Sequence, residues 1–198
     1  MIPRKERGTE NKIMKFFHYL GVFIKTFLRT LLKPLSFVPA LIMMYVIYGL
    51  SGQSGVDSGR LSYKVTHAVV VVADKAADLD LSEEQILAYT EKLHPYIRKT
   101  AHFTEYMLLA ASVALPLYVY GLRGIALVLL AGTFCVGFAA LDEYHQSFVA
   151  GRGPSKRDVF IDSCGAFTGI LITRIVGFIG RKTVFAPLAK KPKQPRQA

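Results

Sequence analysis

Long apolar blocks separated by polar ones run along the chain, and their periodicities differ. Ile13 to Lys33 reads as apolar at first sight. On a helical wheel, however, Lys12, Lys15, His18, Lys25, Arg29 and Lys33 gather on one side. Ile13, Phe16, Phe17, Leu20, Phe23, Ile24, Phe27, Leu28 and Leu31 gather on the other. A helix with this pattern lies in a lipid interface and does not cross it. After Pro34, Leu35 to Leu50 has no charged residue and is long enough to span hydrocarbon. Thr100 to Tyr120, Ile125 to Leu141 and Phe160 to Ile179 read the same way, giving four predicted spans, with YGLRG as the turn between the second and third. The fourth carries Gly165 and Gly169 four residues apart, which lets another helix approach closely. Between the first two spans, Ser51 to Lys99 holds seven acids and six bases and belongs in water. It predicts one surface helix over Ser62 to Ala77. A second starts at Ser82, with Gln85 completing a capping box, and ends at Pro95.

Composition agrees with this pattern. Of 198 residues, 52% are hydrophobic, and the mean hydropathy is positive. The expectation is an all-α integral membrane protein with four transmembrane helices and a basic amphipathic N-terminal helix. Residues 1–34 form the cytoplasmic basic segment, 35–180 the four-helix membrane domain and 181–198 a basic, disordered tail. The net charge of +11 sits at the termini and beside the apolar blocks. That distribution fits anionic lipid headgroups as partners of the N-terminal helix and excludes a nucleic-acid face. The termini and the turn at Arg123 carry fifteen bases and two acids, while the two other connections carry nine bases and most of the acids. The positive-inside bias therefore predicts cytoplasmic termini and places both polar connections outside the cytoplasmic membrane. Cys135 and Cys164 have neither zinc-site nor disulfide spacing.

Candidate chemistry concentrates in LDEYHQSFVAGRGPSKRDVFID at 141–162 and at the start of the second span. Lys99, His102, Glu105 and Tyr106 share one helical face, as do Asp142, His145 and Gln146, with Glu143 turned about 100° from Asp142. Asp158 and Asp162 are one turn apart, and the connection supplies Arg152, Lys156 and Arg157. Ionisable groups at a membrane boundary are costly unless they are paired, solvated or used. His102, Glu105, Asp142 and Glu143 are candidates for general acid and base work. Lys99, Tyr106, His145, Gln146, Arg152, Arg157, Asp158 and Asp162 are candidates for ligand binding. That division of labour suits a lipid-linked phosphate; a network of paired charges that only fixes helix register is the plain alternative. No cofactor is implied. A metal held by His102, Glu105, Asp142 and His145 lacks any recognised spacing.

Two blocks, RKTAHFTEYMLL at 98–109 and LDEYHQSFVAGRGPSKRDVFIDSCGAFTG at 141–169, resemble the VanZ-like family of small bacterial membrane proteins. The matching positions are Arg98, Lys99, His102, Glu105 and Tyr106, then Asp142, Glu143, Gln146, Phe148, Arg152, Asp158, Asp162, Gly165 and Gly169. GLSGQ at 49–53 is similar to the end of the family's first span. The resemblance implies a cell-envelope role, an envelope ligand or lipid-linked precursor as partner, and lowered susceptibility to teicoplanin. The basic amphipathic start lies outside the shared pattern.

Overall fold

The computed structural model describes residues 18–24, 26–27, 30 and 33–182. It divides into two compact units, Met1–Val38 and Pro39–Ala198. In the first, 18–24 is helical and all of its residues are exposed, His18 of the basic face as well as Leu20, Phe23 and Ile24 of the apolar one. Lys12, Lys15, Lys25 and Arg29, the bases of the opposite face, lie outside the described residues, as does the tail from 183.

The second unit contains helices α1 (Val38–Ser51), α2 (Gly55–Ala77), α3 (Glu83–Val119), α4 (Gly124–Gln146) and α5 (Lys156–Lys182). Local chemistry explains their ends. Ser54 caps α2 by accepting from the Asp57 N–H at 3.1 Å. The capping box expected at Ser82 is present: its hydroxyl accepts from the Gln85 N–H, and the Gln85 side chain accepts from the Ser82 N–H at 2.9 Å. Gly121 at φ 100° and Gly124 at φ 61° form the tight turn between α3 and α4, since a left-handed backbone is open to residues without a Cβ.

Three expectations change. The first surface helix starts at Gly55 rather than Ser62, because Ser54 supplies an earlier cap. Pro95 does not end the second; α3 runs through it to Val119. A proline costs a helix interior about 3 kcal/mol, and tertiary burial on both sides, at Thr90 and then at Tyr106 and Leu109, outweighs it. Finally, among the described residues three segments, not four, are long and apolar enough to cross a membrane: Lys33–Ser51, Gly124–Gln146 and Lys156–Gly180. The second half of α3, expected as the second span, is not among them, because His102, Thr104, Glu105 and Pro116 dilute its hydropathy. It packs against both α4 and α5.

The core is built from small side chains. On α4, Leu127, Ala131, Cys135 and Ala139 recur every four residues and are fully buried, facing Leu109, Ala110 and Ala114 of α3 and Ala166 and Ile170 of α5 within one cluster. Large apolar residues such as Leu129, Phe134, Phe167, Leu171 and Ile175 point outward and are exposed. Small-inside and large-outside is the arrangement for helices surrounded by lipid tails. The expected close approach at Gly165 and Gly169 is found, and the neighbour is α3. A Cβ on either glycine would lie 2.2 Å from the carbonyl oxygen of Phe103 or Met107.

Candidate functional site

The inward faces of three helices turn from apolar to polar at the same end. On α4 the buried series Leu127, Ala131, Cys135, Ala139 continues into Asp142, Glu143 and Gln146, all buried. On α3 the buried series that ends at Tyr106 continues back through His102 to Lys99. On α5 the series with Ala166 and Ile170 is preceded by Asp162 and Asp158. Because α4 runs towards this end and α5 away from it, the 147–155 connection closes over it.

That connection is stapled to the end of α1. The Gly55 N–H donates to the Ala150 carbonyl at 2.9 Å, and Gly151 adopts φ 74° beside it. A Cβ at Gly55 would lie 2.3 Å from the Gly151 oxygen, so this crossing requires glycine. Arg152 donates from Nη1 to the Ser51 carbonyl at 3.2 Å and from Nη2 to the Leu50 carbonyl at 3.3 Å. A helix C-terminus leaves its last carbonyls without intrahelical partners; the Leu50 carbonyl also accepts from the Gln53 N–H at 3.3 Å, and a guanidinium complements the dipole there. Glu143 does the converse for α5: its Oε2 accepts from the Ser155 N–H at 2.8 Å, at the helix N-terminus.

A pocket of about 210 Å³ opens between α1, α2, α3 and this connection. Arg98, His102, Glu105, Asp142 and Arg152 supply its charged lining, with Ser51, Gln53, Ser58 and Ser62 as further polar groups. Burial, and next the like charge of Arg98, push the Arg152 guanidinium below its usual range, with Asp142, Glu143 and Glu105 opposing the shift. Tyr106 and Asp162, both fully buried, are close at hand. His102 Nδ1 lies 3.9 Å from Asp162 Oδ1, beyond hydrogen-bonding range. Among the described residues, His102 Nδ1, Tyr106 Oη, Arg152 Nε and both Asp162 oxygens are buried polar atoms with no hydrogen-bond partner. Such atoms are rare in folded proteins and cluster where a site uses them.

The candidates separate by what they touch. His102, Glu105, Asp142 and Arg152 line the pocket. Gln146 donates to Asp142 Oδ2 at 3.0 Å and orients it. Lys99 is paired with Asp158. His145 is turned towards α1, where its ring stacks on Tyr48 with centroids 4.6 Å apart, and Arg157 is exposed. The four residues considered for a metal therefore do not converge; among the described residues no group of three His, Cys, Asp or Glu is placed to hold one. Arg98, Ser51 and Gln53 line the pocket although the spacing argument did not select them. The signal lay in RKTAH and GLSGQ, both of which carry the family resemblance. Arg98 and Arg152 can hold an anion, and His102 with Asp162 can hold or pass a proton.

Comparison with known proteins agrees with the blocks that line this pocket. A model of the VanZ/LLP1 family matches residues 36–177, well over half the chain, and covers α1 to α4 and most of α5. No curated protein and no solved structure matches. By the extent of the family match, and with the pocket residues inside it, the chain belongs to the VanZ/LLP1 family.

Proposed function

We propose that this multi-pass membrane protein binds an anionic component of the bacterial cell envelope in the pocket between α1, α2 and α3, and that the pocket faces outward. The observation that carries the reading is the pairing of Arg98 with Arg152 in a half-enclosed pocket at the helix ends, beside the carboxylates of Glu105 and Asp142. Two guanidinium groups in a partly desolvated setting favour a phosphate or carboxylate strongly, because charge-assisted hydrogen bonds gain where water is excluded. The family resemblance makes a lipid-linked cell-wall precursor one such ligand and lowered teicoplanin susceptibility one consequence. The test compares precursor pools and teicoplanin susceptibility in cells with the gene, without it, and with Asp142→Ala or Arg98→Gln. Loss of the gene is expected to change both readouts, and each variant to reproduce that loss while still accumulating in the membrane. Unchanged pools and unchanged susceptibility would leave the charges as a purely structural network.

The His102 and Asp162 pair favours a second reading, an enzyme acting on a lipid-linked phosphate. A histidine beside a buried carboxyl group is a proton-transfer arrangement once a ligand or water joins them. The two readings part at His102→Ala. An enzyme loses turnover and keeps ligand affinity, whereas a binding protein keeps its effect on the cell.

A further inference from the structure

The pocket has a feature that an anion site does not require. Six of its lining side chains are aliphatic: Ile47, Leu50, Leu61, Val65, Ile97 and Ala101. Leu61 and Val65 are about half exposed, at 46% and 48%. They start a stripe on α2, Leu61, Val65, Val69 and Val72, at spacings that share one helical face, and all four are exposed. The neighbouring α2 face, with Thr66 and Val70, is buried instead. The start of this stripe follows closely in sequence on the candidate span Lys33–Ser51, because α2 begins at Gly55. Beside the pocket rim, Arg60 and Lys64, with Asp57, line a shallow hollow that shares Gln53 and Leu61 with it. Basic side chains next to an apolar helical stripe are the pattern of an element seated among anionic headgroups.

Size narrows the ligand further. Sites that enclose a whole small molecule run from roughly 300 to 1,000 Å³. At about 210 Å³ this pocket admits a headgroup and its first methylenes but no complete lipid. We infer that a phosphate-bearing lipid enters sideways from the bilayer past Leu61 and Val65. Its phosphate meets Arg98 and Arg152, its proximal methylenes lie on Ile47, Leu50, Leu61 and Val65, and the rest of its chain stays in the membrane. This inference rests on the anion site proposed above and names its ligand class and route of entry.

The chain contains no tryptophan, so a single introduced one is an unambiguous reporter. Full-length Leu61→Trp protein is placed in phosphatidylcholine vesicles in which a minority of the lipid carries brominated chains. That minority is phosphatidylglycerol in one set and phosphatidylcholine in the other. Each basic residue at a membrane surface enriches anionic lipid about fivefold. Brominated phosphatidylglycerol is therefore expected to quench residue 61 at least about twofold more than brominated phosphatidylcholine. Arg98→Gln should lower that preference, with the share owed to Arg60 and Lys64 remaining, and Arg98→Lys restore part of what is lost. Phe134→Trp, on an exposed position of α4 with no basic residue within a turn, should show no preference. Equal quenching by the two lipids at residue 61, or a preference untouched by Arg98→Gln, would overturn the inference. Titration of glycerol phosphate in detergent separates the sources. Arg98-dependent binding of it without any lipid preference overturns lipid entry and leaves the anion site standing. Absence of both overturns the two together.

Discussion

Gly165 and Gly169 set the distance between α3 and α5, since an added Cβ would meet backbone oxygen at 2.2 Å and backbone cannot rotate aside as a side chain can. Gly169→Ala is expected to lower stability by about 1–3 kcal/mol, measured as a fall in Tm of the purified protein in detergent. Gly137→Ala on α4, where nothing lies within 4 Å, should be neutral or raise stability by up to about 1 kcal/mol, from helix propensity alone. The four-residue glycine spacing was legible in the chain; that it faces Phe103 and Met107 was not, because a small residue announces a close approach without naming its partner. Arg152 teaches the same lesson. Its charge read as a ligand contact; beside that proposed role, two of its nitrogens serve carbonyls 101 and 102 residues earlier. Arg152→Gln is expected to cost about 1.5–3 kcal/mol, the range for hydrogen bonds with a charged partner, and to speed proteolysis within 147–155. A stability equal to that of the unaltered protein would show that the α1 carbonyls find other donors.

Helix α3 joins a charged half to a half that packs among apolar helices, and its two ends answer to different physics. Its start is governed locally by Ser82 and Gln85. Ser82→Ala should cost about 1 kcal/mol, seen as faster amide exchange in the first turn of α3 with the segment around Tyr106 unaffected. An equal acceleration at Tyr106 would mean the helix unfolds as one unit. This cap could be read from four consecutive residues. The passage through Pro95 could not, because a local rule for helix breaking competes there with burial that only the assembled bundle reveals. The hydrogen bond between Ser62 Oγ and His94 Nε2 at 2.7 Å, with Tyr63 edge-on to the same ring, clamps α2 to α3 just before that proline. The partner of His94 lies on another helix, so no local spacing in the chain names it.

In the assembled bundle, α1 and α4 end, and α5 begins, at the site, so the start of α4 and the far end of α5 lie together at the opposite end, where Arg123, Gly124, Arg174 and Ile175 line one hollow. The proposed orientation puts the site outside the cell. It is checked by single cysteines at Gly153 and Gln194 in a chain carrying Cys135→Ala and Cys164→Ser, treated with an impermeant maleimide. Gly153→Cys should react on intact cells and Gln194→Cys only after permeabilisation; the reverse would invert the orientation. The all-helical architecture, the polar end and the family followed from the hydrophobic pattern and two sequence blocks. The number of apolar spans did not, because the one helix that carries both His102 and a core face averages two environments in its composition. The staple between Arg152 and α1 has a consequence for biosynthesis. When α1 leaves the ribosome, the carbonyls of Leu50 and Ser51 have no guanidinium to meet, and they wait through the synthesis of α2, α3 and α4. The pocket is therefore among the last features of the protein to exist. A chain halted before Arg152 can hold helices in a membrane and still lack the residue that ties the pocket's cover to α1.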